Sequence, residues 1–311
     1  MNPILSEIRE IPDKARALLS QPTVLLPLHV PYLGMGSSYF APLAFKYMGV
    51  DIHPELASEY YNYLSTGEKH PLAVILSQSG RSSEALWCTD LFEAYVAVTN
   101  YPDNPLGTRP NVRATLDIGA GDEQFSSSKT YVNTLLALFR GFGFDPTSSV
   151  DLLIRNFSDY EQQGKALAEA VYALRQTRPI HGIYITGSGP NIATAYEAAL
   201  ILSESTKLAF VGLPMAQYDH GPKETARDSI VINIQANGPN RERTKKLAET
   251  IRAAGATVLT VEEPEADRTG GPEQFLVLHN IVPFNFMAYY LAEKMGVGDT
   301  FTVGGKVTEV L

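Results

Sequence analysis

The stretch Leu76-Ser77-Gln78-Ser79-Gly80-Arg81-Ser82-Ser83 constrains this chain more than any other. It follows the apolar run Leu72-Ala73-Val74-Ile75 and leads into a helical pattern, so it reads as buried strand, polar turn and helix. Hydroxyl side chains and a glycine at the exit of a buried strand make a concave loop. Backbone N–H groups at the start of the following helix can then face an anion. The simplest such anion is a phosphate, and hydroxyls with amide dipoles hold one without a basic patch, in keeping with a formal net charge of -9. The expected ligand is one small phosphate ester.

The same grammar recurs along the chain. An amphipathic helix covers about residues 4–20, with Pro12 starting a second segment. Tyr32-Leu33-Gly34-Met35-Gly36-Ser37-Ser38 then reads as strand end, glycine-serine turn and helix. Residues 50–56, 94–99 and 113–118 read as further strands, and Ser126-Ser127-Ser128-Lys129-Thr130 opens an apolar helix over 131–139, where the serines cap the helix or bind a ligand. Strands spaced by about 20 residues with helices between them imply an α/β fold with a parallel, doubly wound sheet. In such sheets ligands sit outside the carboxyl ends of the strands, so both serine-rich turns are expected to face one crevice.

The pattern breaks around residues 143–149, which divides the chain into a first domain, 1–150, and a second, 151–311. After a helix over 158–175, His181-Gly182-Ile183-Tyr184-Ile185-Thr186-Gly187-Ser188-Gly189-Pro190-Asn191 repeats strand, G-x-G and helix about 150 residues beyond Gly34-Met35-Gly36. That repeat suggests two copies of one fold. Helices are expected over 191–203, 240–254 and 283–295, and strands over 229–235, 257–261 and 274–278.

With 311 residues, 44% of them hydrophobic and 19% charged, the chain can build two moderate cores. Its acidic balance argues against nucleic acid as a partner. The single cysteine, Cys88 beside Trp87, excludes an intrachain disulfide and reads as core, and His29, His53, His70, His181 and His279 have no partners at metal spacing. No metal and no cofactor are expected. The first ten residues are charged too early for a signal peptide and no later apolar run is expected to span a bilayer, which points to the cytoplasm without a membrane partner.

Several of these segments, in order, carry a resemblance. Gly36-Ser37-Ser38, Ala57-Ser58-Glu59, Ser77-Gln78-Ser79-Gly80, Ser127-Ser128-Lys129, the helix 197–204 with His220-Gly221-Pro222 beyond it, and Lys306-Val307-Thr308 resemble the double sugar-isomerase (SIS) domain family over nearly the whole chain. The likeness is to the isomerase half of glucosamine-6-phosphate synthase, and to stand-alone glucosamine-6-phosphate deaminases and fructosamine-phosphate deglycases. It implies two doubly wound parallel-sheet domains, flavodoxin-like in three α/β/α layers. It also implies that Ser77, Gln78, Ser79 and Ser82 grip the 6-phosphate of a hexose phosphate, with Ser38, Ser127 and Ser128 near sugar hydroxyls or the phosphate. Glu204 falls where the family keeps the carboxylate that shuttles a proton between C1 and C2. His220 falls where a histidine assists ring opening, contributed by the neighbouring subunit of a homodimer. Lys306 matches a lysine that lies over the sugar and forms an imine with an open-chain ketose. Read locally, Glu204 is a solvated helix carboxylate, His220 a turn residue and Lys306 a tail lysine, so these roles rest on the resemblance.

The chemistry asks for these residue types. Aldose–ketose interconversion removes a proton alpha to a carbonyl or iminium, which one carboxylate reaching both carbons can do. Ring opening wants a group titrating near neutrality, and an amine turns the carbonyl into a better electron sink. The resemblance also shows a departure: where the synthase pattern has two lysines just before the glutamate, this chain has Ile201 and Ser203. Losing both removes charge that stabilises an enediolate. The expected function is a phosphosugar isomerase or deaminase acting on a hexose or amino-hexose 6-phosphate. The alternatives are a deglycase of fructosamine 6-phosphate adducts and a non-catalytic sugar-phosphate-binding regulator.

Overall fold

The computed structural model describes residues 3–262, 273–298 and 301–309. By internal contacts the chain forms two units, Arg9–Val150 with Thr300–Leu311, and Met1–Ile8 with Asp151–Asp299. The long division falls at residues 150 and 151, but the ends are exchanged. The terminal tail belongs with the first half of the chain, and the N-terminal residues belong with the second.

Helix α1 (Pro3–Arg9) is followed at once by α2 (Ile11–Leu19), which carries its proline in the first turn, where the missing N–H has no helical partner to lose. The first large unit then alternates β1 (Pro31–Gly34), α3 (Ser37–Tyr47), β2 (His53–Leu56), α4 (Ala57–Glu59) running into a π-helical turn Tyr60–Leu64, β3 (His70–Leu76), α5 (Ser83–Cys88), β4 (Phe92–Thr99), β5 (Val112–Asp117) and α6 (Lys129–Gly141). Its five strands are parallel in the order β2-β1-β3-β4-β5. Strand β3 lies at the centre, and Ala73, Val74, Ile75 and Leu76 are all buried because both faces of a parallel sheet are covered. One face, through Leu33, Ala73, Ile75 and Ala97, joins Ala57, Tyr60, Ala85 and Cys88 in a single apolar cluster. On α3 and α6, Phe45 meets Phe139 edge to face, 4.7 Å between ring centroids.

Helix α7 (Thr147–Arg155) carries the chain across the division, at the place where the sequence pattern breaks. The second unit continues with α8 (Phe157–Thr177), β6 (Ile183–Gly187), α9 (Asn191–Thr206), β7 (Phe210–Pro214), α10 (Met215–Asp219), β8 (Ile230–Ile234), α11 (Arg241–Ala253), β9 (Thr257–Val261), α12 (Leu276–Asn280) and α13 (Val282–Met295). Its strands are parallel in the order β7-β6-β8-β9, which repeats the arrangement β2-β1-β3-β4 of the other unit. The strand-to-helix turns repeat as well. A Cβ on Gly34 would meet the Ser38 carbonyl oxygen at 2.5 Å, and one on Gly187 would meet that of Asn191 at 2.0 Å, so in both units the first helical turn is pressed against the strand end.

Two elements differ from the sequence reading. Residues 274–278, expected as a strand, are helical: Glu273–Phe275 forms a 3-10 turn and α12 follows, since a short apolar run has no period of its own to separate strand from buried helix. Strand β7 is an edge strand with Gly212 and Pro214 inside it, too short and too interrupted to announce itself. The helical stretch Glu273–Met295 is also long and apolar enough, by composition, to cross a membrane, contrary to the expectation that no run is. Most of its apolar part is buried inside the fold, where Phe284, Phe286, Met287 and Leu291 build the core against α8 and α9.

Helices α8 and α13 approach most closely at Gly164, where an added Cβ would lie 2.4 Å from the Pro283 carbonyl oxygen and 2.6 Å from Phe286 Cβ. Alanine favours a helix over glycine by about 1 kcal/mol. Here the obstacle is backbone, which no rotamer change relieves, so overpacking by about 1–3 kcal/mol outweighs that gain. Gly164→Ala is therefore expected to lower the urea midpoint without changing the slope of the transition, as measured by circular dichroism.

Candidate functional site

Strands β1 and β3 are neighbours, and the chain leaves them in opposite directions across the sheet, toward β2 on one side and toward β4 and β5 on the other. The crevice at that reversal is flanked by the loops after β1 and β3, which are Gly34–Ser38 and Ser77–Ser83, the two serine-rich turns singled out from the sequence.

The Ser77–Ser83 loop is held shut by its own hydroxyls. Ser77 N–H continues the ladder to the Val98 carbonyl at 3.1 Å, and its Oγ accepts the Gly80 N–H at 3.1 Å. Ser79 Oγ accepts the Arg81 N–H at 3.2 Å, and Ser77 Oγ lies 3.4 Å from Ser82 Oγ. Gln78 contributes its backbone carbonyl, which receives the Asn100 N–H at 3.1 Å. Beneath the turn, Asn104 donates to Thr99 Oγ1 at 2.6 Å and accepts from Gly107 N–H at 2.9 Å. Gly80 has φ +64°, and a Cβ there would fall 2.0 Å from the Asn104 amide group, so both conformation and space require glycine. Ser38 sits half-buried in the first turn of α3, just past Gly36, whose φ is +50°.

The terminal tail reaches this edge of the unit. Ser83 N–H donates to the Thr308 carbonyl at 3.2 Å, and Arg81 pairs with Glu309 at 2.9 Å. Lys306 Nζ donates to the Glu123 carbonyl oxygen at 2.6 Å and stands 3.9 Å from Glu123 Oε2. Of the three residues given catalytic roles by resemblance, Lys306 is thus the one placed in the same unit as the serine loops. Glu204, in the last turn of α9, and His220, exposed at the end of α10, belong to the other unit.

The serines before α6 have a partner of their own. Glu123 Oε1 accepts the Ser128 N–H at 2.9 Å, the Ser128 hydroxyl at 2.8 Å and the Thr130 N–H at 3.4 Å, while Oε2 accepts the Thr130 hydroxyl. Ser127 Oγ lies 3.0 Å from Thr130 Oγ1. Both donors of Ser128, expected near the sugar, go to a buried carboxylate of the chain itself. Lys129 is 2% exposed and holds Glu10 at 2.6 Å, fixing the start of α2 to α6. Glu123 was not singled out from the sequence. Its one signal is an acidic residue just upstream of a hydroxyl-rich helix start, and that pattern also reads as a simple loop.

The corresponding crevice of the other unit is built differently. After β8 come Gln235-Ala236-Asn237-Gly238 in place of the serines. A Cβ on Gly238 would meet both Glu273 carboxylate oxygens at 2.2 Å, and burial raises the pKa of that carboxyl. A carboxylate there repels a phosphate, so the phosphate-binding candidate is the crevice between β1 and β3. The two positions where the resemblance implies lysines also have structural occupants. Ile201 is fully buried, and Ser203 Oγ donates to the Ala199 carbonyl at 2.7 Å and accepts the Phe210 N–H at 3.1 Å. Among the described residues no group of three or more His, Cys, Asp or Glu is placed to hold a metal ion.

The architecture defines the class of fold: two parallel sheets, each in flavodoxin-like order with helices on both faces. No protein-family model matches the chain. It is 23% identical to the glutamine–fructose-6-phosphate aminotransferase (isomerizing) of Pyrobaculum aerophilum over 93% of its own length and 52% of that protein's. It is 26% identical to the Pyrococcus horikoshii protein of that name over 94% of its length and 52% of that protein's. The chain thus spans about half the length of the curated relatives it matches. Among solved structures it superposes on a glucosamine-6-phosphate deaminase from Thermotoga maritima with a TM-score of 0.81 and 18% identity, covering 100% of both chains. With the C-terminal domain of the Francisella tularensis glucosamine-fructose-6-phosphate aminotransferase the TM-score is 0.75 at 17% identity, over 96% of this chain and 98% of that one. With the Escherichia coli tagatose-6-phosphate ketose/aldose isomerase it is 0.75 at 17% identity, over 94% and 93%. The chain therefore has the fold of these sugar-phosphate proteins.

Two outcomes follow from the loop and the cluster below it. Gly80→Ala is expected to melt several degrees lower by circular dichroism, through strain and the clash with Asn104. The Cys88 thiol is pushed up to about 12 by burial, with the Glu84 carboxylate adding to it, and its Sγ meets the Ala57 carbonyl at 3.2 Å. Native protein at pH 8 is expected to leave a disulfide reagent unreacted until denaturant is added, because only the thiolate attacks.

Proposed function

We propose that this protein binds a hexose 6-phosphate or amino-hexose 6-phosphate and carries out ring opening followed by proton transfer between C1 and C2, as a phosphosugar isomerase or deaminase. The observation that carries the reading is the convergence, in one unit, of the serine-lined loop at the β1/β3 reversal and a tail lysine held at the same edge of the sheet. The names of the relatives and of the superposable structures support the same substrate class.

In this reading the 6-phosphate takes the donors of Ser77, Gln78, Ser79 and Ser82, with Ser38 and Ser127 nearest the sugar, while Ser128 keeps its bonds to Glu123. In binding, the ester competes with the present contacts of Ser79 with Arg81 and of Thr308 with Ser83. Lys306 adds through Nζ to the open-chain carbonyl carbon and expels its oxygen as water, giving an imine. Glu204 takes the proton from one carbon and returns it to the other, and His220 serves ring opening from the neighbouring protomer of a homodimer. For an amino-hexose phosphate one water then cleaves the imine and frees Lys306, a second cleaves the C2 imine and releases ammonia, and the overall change consumes one water. A second reading, cleavage of fructosamine 6-phosphate adducts, is favoured by the uncharged Ile201 and Ser203, which leave an enediolate with less stabilising charge than two lysines would.

Purified protein is expected to release ammonia from glucosamine 6-phosphate, read by a coupled dehydrogenase assay. Ser79→Ala with Ser82→Ala is expected to raise KM at least tenfold with a smaller change in kcat, since each lost hydrogen bond to a charged group is worth about 1.5–3 kcal/mol. Glu204→Gln is expected to abolish turnover while leaving sugar-phosphate binding in place. No turnover of any hexose phosphate, amino-hexose phosphate or fructosamine adduct by the wild type would remove the enzyme reading.

A further inference from the structure

We infer that Glu123 is the positioning residue for Lys306: this buried acid tethers the lysine, and with it the terminal tail, against the serine loop. The inference deepens the proposed function and rests on that reading where it concerns the imine. The tether itself rests on geometry alone.

The Glu123 side chain has no exposure to solvent, against 26% for Lys306. A buried carboxylate survives only if its oxygens are satisfied, because removing its hydration costs far more than one hydrogen bond returns. Ser128 and Thr130 supply donors from the start of α6, a helix of 13 residues whose N-terminal dipole also favours negative charge. These donors crowd Oε1, and Oε2 is left with the Thr130 hydroxyl and the ammonium of Lys306 at 3.9 Å. The same ammonium donates to the backbone carbonyl of Glu123 at 2.6 Å. One residue therefore grips one cation with both its main chain and its side chain.

Two further polar anchors of the tail are weaker. The Arg81–Glu309 pair has both side chains about three-fifths exposed, at 61% and 59%, where an ion pair contributes at most about 1 kcal/mol. Thr308 offers a single carbonyl to Ser83 N–H. Residues 301–309 contain Gly304 and Gly305, both at positive φ, and no helix or strand, so little local structure holds Lys306 in place. The contact with Glu123 sets where Nζ stands relative to the loop after β3. Glu123 acts through Lys306 and through the Ser128 turn; it is not placed in contact with the sugar.

The test uses the full-length protein with Glu123→Gln, Glu123→Asp and Lys306→Met. Amide hydrogen exchange is read first, without any ligand. Ser83 N–H is expected to exchange about tenfold faster in Glu123→Gln and in Lys306→Met, with the amides of β3 unchanged and Glu123→Asp intermediate. Unchanged Ser83 exchange in both variants would overturn the tether. If Glu123→Gln fails to fold, Lys306→Met alone decides, since it leaves every donor on the Glu123 carboxylate in α6 intact. Borohydride trapping with fructose 6-phosphate is read second, with mass mapping of Lys306 and competition by inorganic phosphate. Glu123→Gln is expected to cut adduct formation at least tenfold while phosphate competition stays within twofold. Trapping at the wild-type rate, or an equal loss of trapping and phosphate binding, would overturn the positioning role. Absence of any adduct in the wild type would remove the imine of the proposed function, and the exchange result would still decide the tether.

Discussion

A sheet of parallel strands with helices on both faces buries its middle completely, and this constraint organises the rest of the protein. Strand β3 shows it most plainly: Ala73, Val74 and Ile75 are wholly buried, and the chain becomes polar within a few residues at Ser77. Charge and hydrogen-bonding chemistry are driven to the strand ends, where backbone groups lose their ladder partners and helices begin. Where the strand order reverses, two such ends leave a gap that helices do not fill. The Gly34–Ser38 and Ser77–Ser83 loops border that gap because β1 and β3 are neighbours.

Loops of this kind are rich in donors, and donors do not distinguish one anion from another. The serines before α6 show the consequence. Their hydroxyls and amides, which suit a phosphate or a sugar, enclose the Glu123 carboxylate instead. In the other unit the corresponding crevice has Glu273 pressed against Gly238. Internal acids thus take up the donors before α6 and the space beside Gly238. In the Ser77–Ser83 loop the hydroxyls of Ser77 and Ser79 accept N–H groups of the loop itself, and the acid that meets it, Glu309, pairs with Arg81 at the exposed rim.

Much of the fold was legible in the chain. Apolar runs marked β3 and β4, glycine- and serine-rich turns marked the ends of β1 and β3, and the G-x-G repeat at Gly187 foretold a second sheet that proves to repeat the strand order of the first. Residues 274–278 and β7 were not legible, because a run of four apolar residues takes its conformation from its neighbours and an edge strand holding Gly212 and Pro214 carries little strand propensity. Of the candidate site, the loop serines, Gly80 and Lys306 could be named from the sequence. Glu123, Asn100 and Asn104 could not, since their importance lies in hydrogen bonds to residues that come close only when the sheet has formed.

What the sequence by itself determined was the alternation of buried strand and polar turn, hence a doubly wound α/β chain with hydroxyl-lined loops and too few cysteines or clustered histidines to suggest a metal centre. Local pattern suffices for that, because burial and turn chemistry act over a few neighbouring residues. Only the tertiary structure decided that the tail from residue 301 belongs with the first large unit, that Lys306 lies on Glu123, and that Ser128 serves a carboxylate. Those are contacts between residues far apart in the chain. A buried charge must find its partner wherever the folded backbone brings one, and no local pattern records which partner that is.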